Sequence, residues 1–341
     1  MRYIFELNHP KHYYQFKYVM KMLLQKGHIV RVLARDKDVL LRVLNDEHVP
    51  YSVFGSHKDS ITGKVFSSFS ILRKYCSIVK DFKPDVIVSK ASFYGTFVAK
   101  LSRCKSIIFP DSEVVQLTNR VVAPLASMIV TPQPFSLDYG QKHHRIKGLF
   151  EDCYLSPFIK SIDSGYAQKA GLRKPYAVLR FVGWTANHDI HNNGFSLEEK
   201  IRLVHEISKF MTVYISSEKE LPEGLKPYRL STPPADIHDV LGCSDLYIGD
   251  SQTMASEAAL LGTPAIRSNS FVGENDMSNF IMLEKEYGLL LNIKDFKTVL
   301  STAVDFAKNS RKSDWQKKRK DYYDRTGDIN VSIVQLIETL Q

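Results

Sequence analysis

What most constrains this chain is an alternation. Short apolar runs suited to strands recur at Tyr3–Leu7, Ile29–Ala34, Tyr51–Phe54, Val86–Ser89, Ser106–Phe109 and Met128–Thr131, with helical patterns between them. The clearest helix carries Phe16, Val19, Met20, Leu23 and Leu24 on one face and stops at Gly27, a residue that accepts the left-handed turn of a helix end. After a pause over Phe150–Lys174 the rhythm restarts with Tyr176–Phe181, Thr212–Ser216, Leu246–Ile248, Ala265–Arg267 and Leu289–Leu291. A parallel strand connection has to cross over the sheet, so units of this kind give parallel sheets covered by helices on both faces. Two such runs in 341 residues predict two doubly wound, Rossmann-like α/β domains, residues 1–155 and 170–313, with the aperiodic stretch between them as the linker. The tail from about Asp314 to Gln341 reads as helical again.

Other function classes fall away on composition. With 44% hydrophobic and 24% charged residues the chain is of globular type, not disordered. No stretch reaches the ~20 apolar residues that span a bilayer. The best run, Val121–Val130, contains Pro124, and the start MRYIFELNHP has Glu6 and Asn8 where a signal peptide needs a continuous apolar segment. The expectation is a cytoplasmic protein. Cys76, Cys104, Cys153 and Cys243 form no CxxC pair, which points to neither a disulfide framework nor a zinc site. Charge is uneven: residues 1–165 hold 24 Lys and Arg against 14 Asp and Glu, a net +10, whereas residues 166–341 come to −1. Such a half suits a phosphate-bearing acceptor or an anionic membrane surface, or is a solvated basic face. Nucleic acid is not expected, since the basic residues do not interleave with aromatics as in a binding module.

In doubly wound sheets ligands bind beyond the carboxyl ends of the strands, so the loops after the strands carry the candidates. The stretch GDSQTMASEAALLGTPAI, Gly249–Ile266, follows the strand Asp245–Gly249 and opens a helix with Asp250 or Ser251 as N-cap and Gln252 and Thr253 in the first turn. First-turn amides and the helix dipole make an anion site suited to a pyrophosphate, which small residues at Gly249, Ser251 and Ala255 let approach. Glu257, one turn on, is spaced to accept the two hydroxyls of a ribose. The same pattern also fits a capped helix with an exposed Glu.

The segment DLYIGDSQTMASEAALLGTPAI resembles the donor-nucleotide region of the GT-B glycosyltransferases and of the UDP-N-acetylglucosamine 2-epimerases that share their fold. NHPKHYYQFKYVMKMLLQKGHIVRVLAR is similar to their opening strand, His-containing loop, helix and GH-x-V strand, and KPDVIVSKASFYGTFVAKLSRCKSIIFPDSE to their next unit, continued by LTNR and APLASMIVTP. Within the superfamily the likeness is strongest to a bacterial and archaeal group carrying FVGWTANHD and GTPAI. The resemblance covers nearly the whole chain and implies two domains facing a cleft, a nucleotide-sugar ligand (UDP-linked) and a last helix that crosses back to the first domain. For that helix Ile333, Leu336, Ile337 and Leu340 have the apolar spacing, and the crossing would bring Lys317–Lys320 beside the basic half.

Carried over residue by residue, the resemblance separates the two reactions. The HGDT acid of the epimerases falls near Val88–Ser92, where this chain has Lys90; the VEAGLR acid falls near Asp111 or Glu113; and the PEExNR motif falls on VQLTNR, which has Gln116 and Leu117 in place of the acids and keeps Asn119 and Arg120. Elimination and readdition of a nucleotide need groups that pass protons, so these departures weigh against an epimerase. An inverting transferase needs one base at the acceptor hydroxyl and positive groups on the departing diphosphate. His9, leaving the first strand, is the preferred base, with His12 in reserve; either could instead cap the helix that follows. Asp111 and Glu113 are placed to orient the acceptor or tune the histidine, or else to cap a helix.

In the second domain the loop FVGWTANHDIHNNG offers Arg180 and the Gly183 amides for the diphosphate, Trp184 for a sugar or base ring, and His188 near the epimerase histidine. His188, Asp189 and His191 fit no helix-borne metal motif, and the resemblance implies no metal or other cofactor beyond the nucleotide-sugar donor. The function expected is a metal-independent glycosyltransferase of cell-surface polysaccharide or glycolipid biosynthesis. It would act on a glycan or lipid-linked acceptor in the cytoplasm, or peripherally on the inner face of the membrane. A 2-epimerase and a non-catalytic nucleotide-sugar-binding protein are the alternatives.

Overall fold

The computed structural model describes every residue except 38, 57–60, 114, 116–117, 183–193, 218–219, 275 and 341. The chain divides into two units, Met1–Tyr154 with Gly327–Gln341, and Leu155–Thr326. The first is built on a parallel sheet of β1 (Arg2–Leu7), β2 (Ile29–Asp36), β3 (Tyr51–Ser56), β4 (Val86–Ser89), β5 (Lys105–Ile108), β6 (Met128–Pro132) and β7 (His143–Ile146), in the order β3-β2-β1-β4-β5-β6-β7. Strand order reverses between β1 and β4, whose register runs from Tyr3↔Val86 to Glu6↔Ser89. The helix Pro10–Gln25 lays Phe16, Val19, Met20 and Leu23 on one face of the sheet and ends at Gly27, with φ +82. Phe5, Phe16, Phe109 and Phe150 meet edge to face with centroids 5.1–5.8 Å apart, a preferred aromatic geometry.

The second unit carries β8 (Tyr176–Arg180), β9 (Thr212–Ser216), β10 (Leu246–Gly249), β11 (Ala265–Arg267) and β12 (Leu290–Asn292), again parallel, in the order β12-β11-β10-β8-β9. Here the reversal lies between β8 and β10, with Arg180 opposite Gly249. Both units are thus doubly wound, as the alternation predicts, and no helix among the described residues is long and apolar enough to cross a membrane.

The stretch Phe150–Lys174, inside which the two units divide at Tyr154 and Leu155, holds the helices Asp152–Ile159 and Tyr166–Lys169, and Tyr166 donates its hydroxyl to Asp236 at 2.8 Å. Strand β7 was missed because HHRI lacks an apolar run; it forms by pairing with β6. The tail is two helices broken at Gly327. Ile329–Glu338 returns to the first unit, burying Ile333 and Ile337 with Leu336 and Leu340 packed alongside, as its spacing implies. Lys312–Thr326 instead belongs to the second unit, where Trp315 is buried and donates Nε1–H to the Leu289 carbonyl at 2.6 Å. Lys318 and Arg319 are engaged there as well, donating to the carbonyls of Gly288 and Leu261.

Candidate functional site

In the first unit the β1/β4 reversal gathers charged side chains. Past Leu7 the chain turns through Asn8 and His9 into the helix opened by Pro10, whose fixed φ suits a first helical position. His9 is the cap: its Nδ1 accepts the Lys11 N–H at 3.1 Å, and the ring is exposed. One turn on, His12 accepts the Asn8 N–H at Nδ1, 3.2 Å. Each neutral imidazole therefore keeps its proton on Nε2 and presents a donor.

Lys90, at the end of β4, brings its Nζ 3.1 Å from Asp111 Oδ2 and 4.1 Å from the Phe150 ring centre. The lysine side chain is 3% exposed and that of Asp111, in the loop after β5, 48%, so the pair is open on the carboxylate side. Burial, then the Lys90 charge, pushes the His12 imidazole down to about 3. Burial opposes ionisation of Asp111, but Lys90 and Lys11 outweigh it and hold the carboxyl down to about 2. The Lys90 ammonium is itself lowered by burial, against the pull of Asp111. Lys11 reaches Glu151 at 3.0 Å. Glu113 accepts the Ser136 N–H at 2.9 Å.

Beneath these groups lies a carboxylate that the sequence reading passed over as a mere break in a signal segment. Glu6 is fully buried in the central strand and accepts from Asn8 Nδ2 at 2.9 Å and from the Tyr75 hydroxyl at 3.1 Å. Burial raises its pKa, while hydrogen bonds from Ser92, Asn8, Tyr75 and the Gly95 amide oppose the rise. Any side chain at Gly95 would run into Glu6 Oε2, so the first turn of the helix Phe93–Ser102 closes over the carboxylate only with glycine there. The available signal was an acidic residue inside an otherwise apolar central strand.

The second unit builds its reversal from backbone. A Cβ on Gly249 would stand 2.5 Å from the Arg180 carbonyl oxygen and 2.6 Å from the Tyr247 hydroxyl, so no side chain fits. Asp250 donates its N–H to the Arg180 carbonyl at 3.2 Å, and its Oδ1 accepts the Val182 N–H at 2.6 Å. Oδ2 has no hydrogen-bond partner among the described residues, and a side chain at Gly194 would collide with it. Burial pushes this carboxyl up to about 6, with the Val182 amide and Lys200 opposing.

Ser251, not Asp250, caps the helix Gln252–Leu260, accepting the Met254 N–H at 3.4 Å; Gln252 and the exposed Thr253 stand in the first turn. Glu257 is not the exposed glutamate of a bare capped helix. It is buried, with Oε1 3.4 Å from His238 Nε2. Arg180 donates from Nη1 to the Ser216 hydroxyl at 3.2 Å. Gly183, Trp184, His188, Asp189 and His191 lie outside the described residues. Among the described residues no three His, Cys, Asp or Glu side chains gather as metal ligands.

Sequence reasoning also missed Arg267, fully buried at the end of β11. It forms a bidentate pair with Asp276 at 2.7 and 3.0 Å, donates to Asn292 at 2.7 Å and lies 3.7 Å over Phe280. No local spacing announces such a pair; it exists only once the loop after β11 has folded back.

Comparison with known proteins agrees with this architecture. A family described as a protein of unknown function (DUF354) matches residues 186–335. No curated protein matches the sequence. Among solved structures, the UDP-GlcNAc 2-epimerase from Neisseria meningitidis bound to UDP-GlcNAc is 12% identical, with a TM-score of 0.71 over 99% of this chain and 100% of that one. The spinosyn forosaminyltransferase SpnP is 14% identical, with a TM-score of 0.66 over 100% and 99%. Acinetobacter baumannii MurG is 15% identical, with a TM-score of 0.63 over 99% and 100%. The chain has the GT-B fold that these structures share.

Proposed function

We propose that this protein is a nucleotide-sugar-dependent, inverting glycosyltransferase whose second unit holds the donor and whose first unit activates the acceptor hydroxyl. The observation that carries the reading is the Lys90–Asp111 pair at the first reversal. Glycosyl transfer needs a group to take the hydroxyl proton as the new bond forms. Asp111 is ionised and half-exposed, and His12, neutral with its proton on Nε2, donates to the same hydroxyl and orients it in this reading. Because both Nδ1 lone pairs are occupied, the base assigned to His9 or His12 from sequence passes to Asp111 in this reading.

On the donor side the amides that open the helix at Ser251 take the diphosphate, Arg180 adds charge as it departs, and Glu257, set by His238, takes the ribose. The donor is UDP-linked and the acceptor a glycan or lipid-linked sugar of the cell surface, drawn by the basic first half and met in the cytoplasm or at the inner membrane face; no metal is needed. An epimerase is the second reading, favoured by the 0.71 TM-score of the Neisseria enzyme. It requires acids that deliver protons, whereas Asp111 is held ionised by a lysine standing where the resemblance implies an acid.

The test is a thermal-shift screen of UDP-, GDP-, CMP- and dTDP-sugars, followed by assays for free nucleotide and for the isomerised donor. A donor at 100 times its dissociation constant should stabilise by about 2.7 kcal/mol. Free nucleotide released in step with a glycosylated acceptor supports transfer. Isomerised nucleotide-sugar without an acceptor overturns it in favour of the epimerase, and binding with neither product in favour of a sensor.

A further inference from the structure

A cavity of about 720 Å³ lies in the first unit against the amino ends of β2 and β3, the opposite end of the sheet from Lys90 and Asp111. Doubly wound sheets bind the ligands of their reaction at the carboxyl ends, so this is not part of the site already described. Its origin is a short crossover. The helix after β2, Leu40–Asp46, has seven residues and ends before it covers the strands' amino ends. Leu24 and Ile29 are left 54% and 50% exposed on the cavity wall, and Phe82 and Tyr51 extend the apolar lining.

Cations line the same cavity. Lys17 is tied to Glu47 at 2.6 Å, and Arg31 lies 4.5 Å over Phe82 and reaches Asp81 at 3.3 Å. Lys21, one turn beyond Lys17, is exposed and makes no ion pair among the described residues. An apolar interior of drug-ligand size with excess positive charge at its wall fits one kind of molecule. We infer that this cavity binds a single-chain amphiphilic anion, its hydrocarbon against Leu24, Ile29 and Phe82 and its phosphate or carboxylate at Lys21. The inference is independent of the transferase reading, because it uses none of the same residues.

Titration with monomeric alkyl phosphates from hexyl to dodecyl, below their micelle concentrations, tests it by calorimetry on the full chain. One molecule should bind per chain, and affinity should rise about fourfold per added methylene until the cavity is filled. Inorganic phosphate alone should not bind. Lys21→Glu should weaken dodecyl phosphate about tenfold, more at low salt than at high, and Leu24→Glu should abolish binding. Both positions are exposed on a helix, so an unchanged melting temperature confirms that each variant is folded. Absence of saturable binding, no dependence on chain length, or equal affinity in both variants would overturn the proposal. Uptake only from anionic vesicles, with no monomer bound in solution, would overturn it as well, since the face would then be a membrane surface.

Discussion

The two strand-order reversals solve the same problem with opposite materials. Between β1 and β4 the site consists of long charged side chains that hold one another: Lys90 on Asp111, Lys11 on Glu151, Glu6 under Asn8. Between β8 and β10 it consists largely of backbone and small residues, with two buried carboxyls, Asp250 bonded to the Val182 amide and Glu257 beside His238. In the first, the charges of Lys90 and Lys11 hold Asp111 ionised against its burial; in the second, burial prevails at Asp250. The first should therefore respond to charge-changing substitutions mainly in activity, and the second mainly in stability.

Asp111→Asn should produce the largest effect, a loss of turnover of about 10²–10⁴ with donor affinity little changed, the range for removing a positioned proton acceptor. Lys90→Met sharpens it. Asp111 sits below its ordinary value because of Lys90, so its ionised form is present above pH 3.8 and is lost only as pH falls toward 2. Without the lysine its pKa rises, and the acid limb of the kcat/KM profile should move up with it. An unmoved limb would mean that Asp111 is not the group titrating.

Asp250→Asn tests the other reversal. The folded carboxyl is raised from 3.8 to about 6, so its stability contribution is complete below the unfolded value and is lost as pH rises through 6. A displacement of that size corresponds to about 3 kcal/mol. The wild type should lose about that much stability between pH 3 and 7 relative to Asp250→Asn in urea unfolding. Parallel stability curves for the two proteins would remove burial as the controlling influence there.

The contrast also explains what the sequence disclosed. The alternation made both sheets legible, since burial of parallel strands imposes apolar runs, and the Ser251 cap was legible because capping is local. β7 was not, because its residues are polar and only pairing with β6 makes them a strand. The Lys90–Asp111 and Arg267–Asp276 pairs were hidden for the same reason: partners from different loops leave no spacing to read. Glu257 shows the limit from the other side, since its position was read correctly as one turn into the helix but its burial against His238 depends on a second helix.

Glu257→Gln should weaken the nucleotide-sugar by about tenfold, as expected of a lost hydrogen bond to a charged acceptor, while keeping the side chain's volume in its buried place. Unchanged donor affinity by calorimetry would take the ribose from this residue.

The smallest effect separates His9 from the reaction altogether. Its Nδ1 caps the helix Pro10–Gln25, and removal of a cap costs typically ~1 kcal/mol. His9→Ala should therefore lower stability by about that amount and leave turnover within a few-fold, and His9→Asn, which can cap in the same way, should restore the stability. A base would behave otherwise: neither alanine nor asparagine takes a proton at neutral pH, so both variants would be inactive to the same degree while only one is destabilised. The stability difference between the two variants reports the cap under either assignment, and their shared level of activity, near wild type or lost, tells the two assignments apart. Joint inactivity would return the base to His9 and reduce Asp111 to a partner that orients the acceptor.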